Sequence, residues 1–261
     1  MLWVEHVAEF FLHRHLNGFL HDRVLAVVAR AALRVVHVAA NDGLRTPRTK
    51  AAKDHPKAGV TKSDVSNESD VARLFADASI TLGGLDAMIN NAGIAGPTKP
   101  VEDISLDEWK SCLDIGLTGQ FLCTRLAVPL LKANGGGSIV NMSSVAGKYG
   151  FPGRSPYSAV KYGVIGITET WARELGPANI RVNAIQPGVV EGARIDAVIA
   201  ARAKLYGKSE SEVEKGLLEH VSLRRMVTGQ DIAETTMFLM SDAAKNISGQ
   251  TIAVDGNVET L

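Results

Sequence analysis

Residues 143–161 bring together side chains suited to moving a proton. An apolar run, Ser138-Ile139-Val140-Asn141-Met142, leads into the hydroxyl pair Ser143 and Ser144. A Gly/Pro-rich loop follows, and Tyr157 and Lys161 then come four residues apart. A helix beginning near Ser155 or Pro156 places that phenol and that ammonium on one face, a turn apart. If the apolar run is a strand, a hydroxyl, a phenol and an ammonium converge at its end.

The elements that must hold this trio are legible from residue 58 onward. Residues 59–65 read as a strand closing on Asp64. Residues 67–82 form an amphipathic helix (Val71, Leu74, Phe75, Ala78) capped by Asn67 or Ser66 and ended by Gly83-Gly84. Residues 85–89 are a buried strand running into Asn90-Asn91-Ala92-Gly93. A long helix spans about 106–133, and three glycines separate it from the strand at 138–142. Helix 156–175, strand 180–185, a polar helical stretch 191–220, helix 228–240 and strand 250–254 complete the chain. Strand and helix alternate at short spacing, and the strands are near-continuous Val/Ile/Leu runs. That pattern predicts an α/β fold, a single doubly wound Rossmann-type parallel sheet with helices on both faces. Ligands bind such sheets beyond the carboxyl ends of the strands, where Asp64, Asn91, Ser144, Pro187 and Gly188 all fall.

Composition narrows the function classes. The 261 residues are 46% hydrophobic and 21% charged, which suits one large domain. A formal net charge of zero gives no footprint for nucleic acid or an anionic membrane. The apolar stretch 24–40 is interrupted by Arg30 and Arg34, so no membrane span is expected. Cys112 and Cys123 fall in one predicted helix and read as reduced, packed thiols. A cytoplasmic setting is expected, with no metal site.

Residues 1–53 read differently. Six of the seven histidines fall between His6 and His55. From Asp22 a helix is expected (Val24, Leu25, Val28, Ala31, Leu33), then a strand, Arg34-Val35-Val36-His37-Val38, then a turn at Asn41-Asp42-Gly43. These would be a helix and the second strand of a nucleotide-binding half. The strand and glycine-rich turn that should precede them, and whose amides would cradle a pyrophosphate, are not visible.

Singly, the motifs have bland readings. Tyr157 and Lys161 suit a solvated helix face, Asn90 to Gly93 a turn, Ser143-Ser144 a cap, and Pro187-Gly188 a loop. In order and at strand ends, they make the chain resemble the classical short-chain dehydrogenase/reductase family, of the 3-oxoacyl-reductase-like kind, over residues 58–261. The matching residues are Asp64-Val65, Asn90-Asn91-Ala92-Gly93, Ser144, Tyr157-Ser158-Ala159-Val160-Lys161, Asn183-Ala184-Ile185-Gln186-Pro187-Gly188, Ile247-Ser248-Gly249-Gln250 and Val254-Asp255-Gly256.

The resemblance implies an NAD(P)-dependent enzyme acting on a small alcohol or carbonyl substrate, with Tyr157 as acid/base. A phenol's ordinary pKa is near 10, and lowering it by about 3 units requires about 4 kcal/mol of preference for the phenolate. Lys161 would supply much of that and hold the nicotinamide ribose, while Ser144 would hold the reacting oxygen. The cofactor would lie along Asp64, Val65, Asn91, Ala92, Gly93, Pro187, Gly188 and Val190. Asp42 would accept hydrogen bonds from the adenosine ribose and favour NAD, whereas Arg45 and Arg48 argue for NADP; NAD is preferred. The resemblance also implies a homotetramer or dimer, paired through helices rich in small residues (Gly116, Gly119, Ala159, Gly163, Gly166). It implies too a substrate lid at 191–220, whose charges (Glu191, Arg194, Asp196, Arg202) fit either a polar substrate or a solvated face.

Three departures stand out. Gly116 occupies the place of the asparagine that completes the family's proton relay, which predicts slowed catalysis. Gly192 stands where a threonine would grip the carboxamide, leaving Val190 and backbone to position the ring. Residues 13–20 carry only Gly18 of the glycine-rich turn. Residues 1–53 are therefore either a divergent segment, in a protein whose cofactor site is altered or silent, or an out-of-frame reading of the gene; the second accounts better for the His/Arg enrichment.

Overall fold

The computed structural model describes residues 22–30, 33–41 and 58–259. The strands are β1 (Asp22–Arg30), β2 (Leu33–Asn41), β3 (Ala58–Lys62), β4 (Ala87–Asn90), β5 (Gly137–Met142), β6 (Ile180–Pro187) and β7 (Thr251–Val254). The helices are α1 (Glu68–Leu82), α2 (Leu106–Leu113), α3 (Gly119–Ala133), α4 (Ser155–Leu175), α5 (Ala193–Tyr206), α6 (Glu210–Glu219) and α7 (Gly229–Met240). The sheet order is β3-β1-β2-β4-β5-β6-β7. From β2 to β7 every neighbouring pair is parallel.

Alternation along the strands builds two cores. Val36, Val38, Met88, Ile139 and Val182 face one way, with Leu74 and Phe75 of α1 and Leu122, Cys123 and Leu131 of α3. Val35, Ala87, Ile89, Val140 and Ile185 face the other way, against Ile232, Met237 and Met240 of α7. Strands buried on both sides are why these segments read as continuous apolar runs. Helix starts follow their caps: Asn67 accepts from the backbone N–H of Ser69 and Asp70. Ser105 with Glu108, Ser209 with Glu212 and Thr228 with Asp231 form reciprocal capping boxes.

Two expectations fail near the start. The segment from Asp22 is not a helix but a strand, antiparallel to both β2 and β3. The run Val24-Leu25-Ala26-Val27-Val28 satisfies either periodicity, and its β-branched residues favour the strand once partners exist on both sides. The sheet is therefore mostly, not wholly, parallel. Nor does Leu33–Asn41 take the second place: it adjoins β4, with Val35 opposite Ala87, which is the first strand's slot in a doubly wound order. Asp42, Arg45, Arg48 and the 13–20 segment lie outside the described residues.

The joint between β2 and β4 is polar as well as laddered. Arg34 donates from its backbone N–H (2.6 Å) and Nε (2.9 Å) to Asp86 Oδ2, and from Nη2 (2.9 Å) to Oδ1. Asn134 donates to the same carboxylate at 2.7 Å. These bonds hold the Asp86 carboxyl below its ordinary pKa, Arg34 contributing most.

The expected long helix is α2 and α3 joined by a π-helical turn, Asp114–Thr118. Gly116 sits in that turn against α4: a Cβ there would stand 2.6 Å from Val160 Cγ1. Gly163 likewise approaches Leu117. At these two positions the small residues serve packing within the chain.

Candidate active site

The carboxyl ends of β4, β5 and β6 open into one cleft. Asn91, Ser143, Ser144, Tyr157, Lys161, Pro187, Gly188 and Val190 all line it, with Arg154 and Arg194. β5 delivers Ser143 and Ser144. Ser143 Oγ donates to the Lys161 carbonyl at 2.8 Å, and Lys161 Nζ donates to the Met142 carbonyl at 2.8 Å, so α4 is pinned to the strand end through Lys161. Beneath the site a buried amide chain ties the layers: Asn90 donates to Asn141 (2.8 Å) and Thr124 (3.0 Å), and Asn141 donates to Thr168 (2.9 Å).

Tyr157 lies in the first turn of α4, with Lys161 Nζ 5.5 Å from its ring centre. Burial alone would raise the phenol's pKa. The Lys161 and Arg154 cations, the Ser144 hydroxyl and Arg194 outweigh it and hold the phenol below its usual value. Burial likewise lowers the Lys161 ammonium, and the tyrosine opposes that shift. Ser144 Oγ also accepts from the Ala146 N–H at 3.2 Å, which orients it at the strand end. The trio expected from the sequence thus meets, in a site that holds the phenol's pKa below its ordinary value.

The other expected residues divide. Pro187, Gly188 and Val190 form the β6 side of the cleft. Gly188 passes so close to Asp255 that a Cβ would stand 2.7 Å from its Cα, which excludes a side chain. Gly192 has φ +125°, a backbone region that strains threonine, so the missing carboxamide grip follows from the local conformation. Ala92 is buried in the core beside β4 and is not among the cleft-lining residues. Asp64 and Val65 also stand apart from the lining residues. Asp64 accepts from the Ser66 N–H (2.9 Å) and hydroxyl (2.7 Å), and buried Val65 packs where a Cβ of Gly119 would collide. Asp42 is outside the described residues.

A nicotinamide group fits the half of the site that is described. A Cβ on Gly93 would come no nearer than 3.9 Å to Lys161 Nζ, so the backbone there leaves the ammonium uncrowded on the cleft wall, where a ribose would be received. Arg154 escaped the sequence reading. It is one of two cations, with Lys148, in a Gly/Pro loop, and its local signal is Gly153, which turns the chain at φ +75° just before it.

Residues 25–258 match the family model described as enoyl-(acyl carrier protein) reductase. The chain belongs to the short-chain dehydrogenase/reductase family. The family match thus begins well before residue 58, where the motifs start. Among its relatives is trans-4-hydroxycyclohexanecarboxylate dehydrogenase of Sinomonas cyclohexanicum, 41% identical over 174 residues. That alignment covers 67% of this chain and 60% of the relative, so the chain spans less than two thirds of that protein's length. A 3-oxoacyl-(acyl-carrier-protein) reductase of Thermotoga maritima is 36% identical over 176 residues, 67% of each chain. Among solved structures, NAD+-bound xylitol dehydrogenase superposes with a TM-score of 0.72 at 30% identity, covering 75% of this chain and 77% of that one. The relatives are dehydrogenases and reductases acting on CH–OH or carbonyl groups.

Proposed function

We propose that this chain interconverts a secondary alcohol and a carbonyl with an NAD(P) cofactor, Tyr157 exchanging the proton. The observation that carries the reading is the Tyr157 phenol in a cleft, beside Lys161 and Ser144, with its pKa held down. Ser144 fixes the reacting oxygen within reach of the phenol, and Lys161 keeps the phenolate accessible near neutral pH. When bound, the cofactor supplies hydride transfer. Lys161 would hold its ribose, Asn91 and Gly93 would flank it with buried Ala92 supporting them from the core, and Pro187, Gly188 and Val190 would position its ring. Asp64, Val65 and Asp42 serve the adenosine end, and Asp42 favours NAD over NADP. The 191–220 stretch serves as the substrate lid: α5 and α6 pack with Val145, Val189 and Val221 into a small core of their own above the strand ends.

A thermal shift titration with NAD and with NADP tests the reading. Cofactor at 100 times its dissociation constant stabilises by about 2.7 kcal/mol. No shift with either overturns the enzyme reading and favours a catalytically silent subunit or scaffold. That rival draws on the single Gly18 in residues 13–20 and on the side-chain-free position 116. A homotetramer or dimer in the cytoplasm completes the proposal; exposed Phe121 and Tyr162, on helices α3 and α4, support association. Sedimentation giving a monomer would remove that part alone.

A further inference from the structure

We infer that the substrate carries a carboxylate, received by Arg154 and Arg194, which line the cleft beside Tyr157, with Arg202 adding its charge from behind Phe151. This deepens the oxidoreductase reading and rests on it.

Arg154 is only 2% exposed and lines the cleft. Its Nη2 donates to the Ala95 carbonyl at 2.6 Å, but its Nε, fully buried, has no acceptor. Its guanidinium carbon lies 4.6 Å from the centre of the Tyr157 ring and 5.2 Å from that of Phe151. Arg202, reaching in from α5, stands 4.9 Å from the same Phe151 ring, and its buried Nε and Nη1 also lack acceptors. Arg194 holds the rim, donating to the Gly93 carbonyl at 3.0 Å. The bland reading of the 191–220 charges as a solvated face therefore fails for Arg202.

Three guanidinium groups are gathered, and Arg194 and Arg202 both repel the buried charge of Arg154. Among the described residues none of the three forms an ion pair. Glu191 lines the cleft and Asp196 follows on α5, yet both are exposed and neither pairs with them. Burial pushes the Cys112 thiol up, so it stays protonated and does not balance the charge. A buried cation without a counter-ion is costly, and such a cluster is stabilised when a ligand brings the missing charge. The planar fork of a guanidinium matches a carboxylate through two parallel N–H···O bonds. Phe151, Ile195, Val198 and Leu217 line the same cleft and supply an apolar wall for a hydrocarbon skeleton.

The test uses a pair of non-reacting probes of one shape, cyclohexanecarboxylate and cyclohexanecarboxamide, titrated calorimetrically into the full chain. The carboxylate should bind about tenfold more tightly or better, since charge-assisted bonds replace neutral ones. Arg154→Met and Arg202→Gln should each bring the preference to within about twofold. Arg154 is buried, so melting curves report whether its variant folds, and Arg202→Gln with Arg194→Gln carry the test if it does not. Equal affinity for acid and amide, no binding of either, or a preference surviving in every folded variant overturns the inference. Turnover separates the two claims. Equal oxidation of secondary alcohols with and without a carboxylate removes this inference and leaves the oxidoreductase reading. Carboxylate preference in a chain that oxidises no alcohol does the reverse.

Discussion

The two sides of the sheet are held together by different means. From β4 to β6, parallel strands buried on both faces send their carboxyl ends into one cleft, and helices make the crossovers. On the other side, β1 runs antiparallel between β2 and the edge strand β3. That side joins the rest through the β2–β4 ladder and the Arg34–Asp86–Asn134 cluster. The difference separates two tasks. The proposed proton transfer draws on the ends of β4, β5 and β6 and on the first turns of α4, and these converge. Phosphate capture in a doubly wound fold belongs to the other side.

The sharpest break in that comparison is Tyr157→Phe. Turnover should fall by about 10²- to 10⁴-fold while the melting temperature stays near wild type; retained turnover would place the proton elsewhere. Lys161→Ala should act on pH before amplitude. It removes the foremost cation holding the phenol's pKa down, so that pKa rises. Alcohol oxidation, which needs the phenolate, should then weaken near neutrality and recover only at higher pH, as a pH–rate profile would show. Gly116→Asn, meant to restore a relay side chain, should instead destabilise by about 1–3 kcal/mol, because its Cβ overlaps stiff Val160. Pairing it with Val160→Ala should recover the stability in urea. A pair no faster than Val160→Ala alone would show that the absent relay is not what limits turnover. The smallest effect lies on the other side of the sheet. Asp86→Asn should cost about 1 kcal/mol at neutral pH, the partial exposure of the pair limiting it. The Asp86 pKa is depressed, so its contribution is present above the ordinary carboxylate value and lost as pH falls through the lowered one. Urea titrations from neutral to acid pH should therefore show a flatter acid limb in the variant.

Most of the β4–β7 side was legible because its signals are redundant. Asn67 caps the helix its position announces, and Ser144, Tyr157 and Lys161 lie together in the cleft where strand-end logic puts them. The start of the chain was misread for a physical reason. An apolar run of β-branched residues fits a buried helix or a buried strand until its partners are known. Arg154 was invisible for a different reason. A lone arginine in a loop becomes chemically meaningful only when burial removes its water and Phe151, Tyr157 and Arg202 come together around it. The overlap between Gly116 and Val160 likewise exists only in three dimensions.

A graft of a phosphate-gripping first half from a relative would meet this chain along β4, where Val35 to Val38 face Ala87 to Asn90. The donor strand would have to bring an arginine opposite Asp86, or that carboxylate and Asn134 would lose their shared cation. A chimaera whose boundary falls just before Arg34 keeps the clasp native and replaces only what precedes it. One whose boundary falls after Asn41 replaces the strand as well, so the donor must supply both the arginine and the pairing with β4.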